Sequence, residues 1–213
     1  MRLYVETNFI ITISNPFDPY RTECENICDL VGNGRLELLV PRIAVLEANH
    51  RLKSIPDEYR RLLKPFDDFV RNGVRVGIDV LQDVKLEEIH TAYEAIIEDW
   101  NPMDDFGKVK THLQVFELSI EYPNIEANVA AASTTGDPKN PYKITGMDLR
   151  ILSSVVDHHM RSVDNGDALF CSTDKRLCSA AGEILELVGV SLPVTSSFSQ
   201  AYAWAEGKFQ FPS

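Results

Sequence analysis

Apolar positions along this chain follow two different spacings. Short runs of adjacent apolar residues predict buried strands at residues 2–5, 36–40, 74–80, 168–172 and 190–194. Between most of these runs, apolar residues recur every three or four positions, which is typical of amphipathic helices. Because the strands alternate with helices, the pattern predicts an α/β fold with a central, mainly parallel sheet of four or five strands flanked by helices.

The middle of the chain has a helical pattern of its own. Apolar residues predict one helix over 84–100, and a second series continues the same spacing at Phe106, Val109, Leu113, Phe116 and Ile120. We therefore expect residues 83–122 to form two helices packed along that series. The chain then reads as a single domain, with a core at about 1–50 and 145–205 and a helical insertion at about 51–144.

The net charge of −11 argues against a protein that coats nucleic acid, because phosphate binding favours Lys and Arg. The one stretch suited to binding a polyanion is the basic segment at residues 51–75, which precedes an acidic segment. Its candidate nucleic-acid-binding residues are Arg51, Lys53, Arg60 and Arg61. No apolar run is long enough to span a membrane, and Glu6 interrupts what would be a signal sequence. The four cysteines lack metal-site spacing and are expected to be buried thiols. These features predict a soluble, cytoplasmic protein.

Four acidic residues stand where parallel strands end or where the following helix begins. Glu6 and Asp174 directly follow predicted strands, Glu47 lies early in a helix, and Asp148 opens another. Ligands bind at the carboxyl ends of strands in such sheets, and carboxylates suit Mg²⁺ or Mn²⁺. Each acid also has a structural interpretation, since Asp174 can cap a helix and Asp148 can belong to a capping box. The four together favour a metal site.

The motifs that carry these acids resemble those of PIN-domain nucleases. The matching segments are LYVETNFII, VPRIAVLEA, GMDLRIL and LFCSTDKRL. The resemblance implies a PIN-like fold, with Glu6, Glu47, Asp148 and Asp174 as catalytic, metal-binding acids and Asn8 and Thr173 as supporting polar residues. Three features depart from the family: Glu6 stands where Asp is usual, the segment between Glu47 and Asp148 is long, and Asp148 and Asp174 are also somewhat far apart. Asp157 would lie closer to Asp174 along the chain, but it is on the opposite helix face from Asp148, which we therefore prefer.

The resemblance further implies a divalent-metal-dependent nuclease, an endoribonuclease that cleaves RNA with a metal-activated water. Members of the family include toxins of toxin–antitoxin pairs, so a protein partner such as an antitoxin stays open, as does a homo-oligomer. A second interpretation is a PIN-like interaction module with weak or no catalysis. The Glu at position 6 and the acidic composition favour that interpretation.

Overall fold

The computed structural model describes residues 1–78, 83–118, 125–135, 144, 146–162 and 167–210. The strands are β1 (Arg2–Val5), β2 (Glu37–Pro41), β3 (Leu113–Phe116), β4 (Ala168–Cys171) and β5 (Val194–Thr195). The helices are α1 (Thr7–Ile13), α2 (Arg21–Gly32), α3 (Arg42–Leu52), α4 (Ile55–Arg75), α5 (Leu86–Asp99), α6 (Pro102–Lys110), α7 (Ile125–Thr135), α8 (Gly146–Arg161), α9 (Lys175–Leu187) and α10 (Phe198–Ala205). Among the described residues, no helix is both long and apolar enough to cross a bilayer.

The described strands form one parallel sheet in the order β3-β2-β1-β4-β5. The central strand β1 pairs with β2 through Leu3 and Leu38 and with β4 through Leu3 and Leu169. Parallel strands need helical crossovers, so the sheet is covered on both faces. This architecture confirms the α/β fold with a central parallel sheet flanked by helices.

Alternating side chains of the strands enter two separate hydrophobic layers. Leu3 and Val5 pack on one face against residues of α1, α2, α3, α6 and α10. Tyr4, between them, packs on the other face against residues of α7, α8 and α9. Burial on both faces explains why these strands read as uninterrupted apolar runs rather than as alternating patterns.

Two of the predicted strands are misplaced. Residues 74–80 do not form a strand where they are described, because α4 continues to Arg75 and residues 76–78 are irregular; residues 79–80 lie outside the described residues. The last strand is not 190–194 but Val194–Thr195, although Val190 and Leu192 are buried. Pro193 has no N–H to donate, and only its carbonyl bonds β4, through the Phe170 N–H at 2.9 Å.

The prediction of two helices packed over 83–122 is wrong in its second half. Phe106 and Val109 lie on α6, but Leu113 and Phe116 are the ends of the edge strand β3 and enter opposite layers of the core. Ile120 lies outside the described residues. A four-residue strand with both ends buried has apolar residues three apart, which is also the helical spacing. The insertion predicted at 51–144 therefore includes a strand of the main sheet.

Helices α4 and α5 form a hairpin at the side of the sheet. Tyr59 and Tyr93 contact across it, and Asp67 Oδ1 lies 2.7 Å from His90 Nε2. Its open ends are tied to the core, because Phe17 stacks on Tyr93 with ring centroids 4.6 Å apart and Trp100 donates its indole N–H to the Ser14 carbonyl at 2.9 Å. The base of the hairpin is thus anchored to the core, and the two helices contact each other beyond it, where Val70 is buried.

Candidate functional site: acids at the carboxyl edge of the sheet

Glu6 follows β1 directly and caps α1. Its backbone is extended, and its carboxylate accepts the backbone N–H of Asn8 at 2.9 Å and the hydroxyl of Ser172 at 2.9 Å. Only 4 % of Glu6 is exposed to solvent. Burial raises the pKa of the Glu6 carboxyl from its ordinary value of 4.5 to about 7, while the two hydrogen bonds lower it and Glu47 and Asp148 raise it further.

Glu47 reaches the same region from the second turn of α3. The hydroxyl of buried Thr7 donates to Glu47 Oε2 at 2.5 Å, and this Thr7 hydroxyl oxygen also lies 3.4 Å from the carbonyl oxygen of Ala44. Helix α3 starts directly after β2, and α1 starts one residue after β1, so neighbouring parallel strands place these two helices side by side. The glutamate is therefore held by the first residue of the adjacent helix.

Asp174 stands at the start of α9, separated from the end of β4 by two residues. Its Oδ1 accepts the backbone N–H of Arg176 at 2.7 Å and that of Leu177 at 3.1 Å, which makes it the N-cap. The structural interpretation of this residue is thus confirmed. One carboxylate oxygen is used in the cap, and capping does not prevent a carboxylate from also binding a cation.

Asp148 lies half-buried in the first turn of α8, where its carboxyl interacts electrostatically with the other candidate acids. Burial raises the pKa of the Asp148 carboxyl, Asp174 and Glu47 raise it further, and Arg176 lowers it. Together with the interactions of Glu6, these effects connect all four predicted acids. By contrast, Asp157 is fully buried further along α8 and lies 2.7 Å from the guanidinium of Arg161.

The donor set suits a hard divalent cation in chemistry, since all four candidates are carboxylates. Within the described residues, however, no three His, Cys, Asp or Glu side chains are arranged so that they could hold a metal ion. Carboxylate oxygens of Glu6 and Asp174 already accept hydrogen bonds from the protein. The structure therefore brings the four acids into electrostatic contact, and a common metal site stays a prediction.

Two hydroxyl residues support the acids, and sequence reasoning missed both. Ser172 is fully buried, donates to Glu6 and accepts the backbone N–H of Asp174 at 3.0 Å, so one hydroxyl links two acids. Thr7 holds Glu47. The signal for Ser172 is a serine two residues before a cap acid, the spacing of a turn closed by a serine hydroxyl. The predicted supporting residues contribute less, since Asn8 bonds Glu6 through its backbone N–H and the Thr173 side chain makes no hydrogen bond with another described residue.

The predicted nucleic-acid residues lie on the surface away from the strand ends. Arg51, Lys53, Arg60 and Arg61 are all exposed at the end of α3 and on α4, and Arg60 pairs with Asp57 at 2.8 Å.

Other basic residues lie on the helices that carry the acids. Arg42 and Arg150 line a cavity of about 340 Å³ between α3, α7 and α8, and they pair with Glu117 and Glu126. The positive charge of Arg176 lowers the pKa of the Asp148 carboxyl. Nucleic-acid binding by Arg51, Lys53, Arg60 and Arg61 stays a prediction.

Comparison with known proteins gives no relative for this chain. No model of a known protein family matches it, and neither a curated protein nor a solved structure matches it significantly.

Proposed function

We propose that this protein is a divalent-metal-dependent nuclease, an endoribonuclease of PIN-like type that acts on RNA in the cytoplasm. The observation that carries the proposal is the electrostatic coupling of Glu6, Glu47, Asp148 and Asp174 at the carboxyl edge of a parallel sheet. Clustered carboxylates destabilise a fold, and such costs are concentrated at functional sites. The edge where they cluster is also the one where open parallel sheets bind ligands.

In this proposal the four acids hold Mg²⁺ or Mn²⁺ and the hydroxyls of Ser172 and Thr7 orient two of them. The bound ion would supply an activated water and stabilise the leaving oxygen. Because a carboxyl must lose its proton to bind a cation, and the pKa of Glu6 is about 7, affinity should increase as pH rises through neutrality. Arg176 would offset part of the negative charge as an RNA phosphate approaches.

The test is cleavage of a fluorescent single-stranded RNA with Mg²⁺, with Mn²⁺ and with EDTA. Asp174→Asn retains a residue that caps helices, so we expect a folded protein with strongly reduced metal-dependent cleavage. The matched control is Asp104→Asn, which changes an exposed acid in the first turn of α6. Cleavage that survives EDTA, or that Asp174→Asn leaves unchanged, would overturn the nuclease proposal.

A second candidate is a PIN-like interaction module that binds a protein partner, such as an antitoxin, and has weak or no catalysis. It is favoured by the fact that the described residues hold no group of three metal ligands, and by the deep burial of Glu6. Thermal unfolding with and without Mn²⁺ separates the two candidates, because a ligand of the folded state raises the melting temperature. An increase that Glu47→Ala or Asp174→Ala abolishes favours the nuclease, and the absence of any increase favours the module.

A further inference from the structure

The α4–α5 hairpin exposes large apolar side chains along much of its length. Phe69 is 62 % exposed, Leu62 58 % and Ile96 45 %, and Phe66 and Ile89 are each 39 % exposed. Exposed apolar residues are ordinary when scattered, but a contiguous patch marks an interaction surface. The exposed apolar side chains form such a patch only if those of α4 and those of α5 lie on the same side of the hairpin.

The positions of these residues around their helices show that they do. Each exposed apolar residue comes one position before a more buried residue: Phe66 precedes Asp67, Phe69 precedes Val70, Ile89 precedes His90, and Ile96 precedes Ile97. One residue is a rotation of about 100° around a helix.

The two helices run in opposite directions, since Tyr59 meets Tyr93 while Asp67, later in α4, meets His90, earlier in α5. The packing sides of α4 and α5 face each other. Because the helices are antiparallel, residue numbers increase clockwise around one helix and counterclockwise around the other when both are viewed along the same axis. The same backward step therefore turns both sets of side chains to one side of the hairpin. We call the surface made by Leu62, Phe66, Phe69, Ile89 and Ile96 the hairpin face.

The two helices that border this face carry different charges. Helix α4 has five basic and four acidic residues, whereas α5 has five acidic residues and no Lys or Arg. When two copies meet face to face about a twofold axis, either like helices lie opposite each other or α4 lies opposite α5. The first arrangement brings the two acidic α5 helices together, and the second avoids this and gives every α5 the more basic helix as its neighbour.

We propose that the hairpin face is the interface of a homodimer, in which α4 of one protomer packs over α5 of its partner. Aromatic side chains bury roughly 150–250 Å² each and Leu and Ile somewhat less, so the five exposed fractions together provide about 400–500 Å² of apolar contact per protomer. This is at least half of the ~800 Å² per partner of a standard interface, and flanking polar residues would supply the remainder. The resulting contact is an antiparallel four-helix bundle.

The first test measures the mass of the intact chain by light scattering after size-exclusion chromatography. We expect a dimer, and Leu62→Glu with Phe69→Glu should weaken it by at least about a hundredfold, because two buried apolar side chains would become buried charges. Both residues are largely exposed in the monomer, so thermal unfolding should show that the variant still folds. The control is Leu187→Glu, which changes a leucine that is 56 % exposed on α9 and should leave the dimer intact.

A monomeric intact chain overturns the proposal and leaves the hairpin face to a different partner. A dimer that withstands the double substitution also overturns it. Neither result bears on metal-dependent cleavage, which is measured separately.

The second test fixes the arrangement of the helices. In a Cys178→Ser background, which removes the one cysteine that is not buried, chains carrying Phe66→Cys are mixed with chains carrying Ile89→Cys and treated with a short bifunctional maleimide. Packing of α4 over α5 predicts cross-linking mainly between the two kinds of chain. Cross-linking of Phe66→Cys chains mainly to each other would overturn this arrangement.

Discussion

Replacing Glu6 by Gln should change how the stability of the protein depends on pH. The pKa of Glu6 is raised from 4.5 to about 7, so between these values the unfolded chain loses the proton while the folded chain keeps it. The unfolded state then binds fewer protons, and the free energy of unfolding falls as pH rises. Between about pH 5 and pH 8 this carboxyl alone should remove about 2–3 kcal/mol from the stability of the folded protein.

The assay is urea unfolding in EDTA at both pH values, for the natural chain and for Glu6→Gln. Gln has nearly the same shape and cannot ionise, so the variant should lack this loss. Other groups titrate in the range, above all His158 and His159, whose pKa values are lowered by burial and whose effect on stability has the opposite sign. Their contribution is common to both proteins and cancels in the difference between them.

Glu94→Gln serves as the control, because Glu94 is an exposed acid on α5 and its replacement should leave the pH profile unchanged. If the natural chain and Glu6→Gln lose or gain the same stability between the two pH values, the carboxyl of Glu6 does not titrate near neutrality. Burial would then not set the pKa of Glu6.

Three further substitutions test individual contacts. Ser172→Ala removes a hydrogen bond to Glu6, so the pKa of Glu6 should rise above its present value of about 7, which NMR titration of a labelled carboxyl would detect; an unchanged pKa would contradict the role of the hydroxyl. Asp174→Ala should cost about 1 kcal/mol in urea unfolding through loss of the α9 cap, whereas Asp174→Asn should cost much less, and equal losses would refute the capping role. Trp100→Phe should cost about 1 kcal/mol by removing the indole bond to the Ser14 carbonyl, measured by thermal unfolding, and no change would mean that this bond does not anchor the hairpin.

The positions of the four acids could be predicted from the chain because parallel sheets obey a strong rule. Each strand ends at the same edge, so an acid within a few residues of the end of β1 or β4 must lie there. The partners of the acids could not be predicted in this way. Ser172 bonds Glu6 across 166 positions of the chain, and Thr7 bonds Glu47 across 40, so only the pairing of the strands brings them together.

The sequence by itself determined the parallel α/β architecture, since strands buried on both faces must be continuous apolar runs separated by amphipathic helices. It did not determine the edge of the sheet. Residues 113–116 have the apolar spacing of a helix, and they form β3 because Leu38 to Pro41 of β2 offer a free row of backbone partners. Residues 74–78 are apolar enough for a strand, yet the first two belong to the last turn of α4 and the other three follow it without pairing with any described strand. A short segment thus becomes a strand only where the tertiary structure supplies its hydrogen-bond partners.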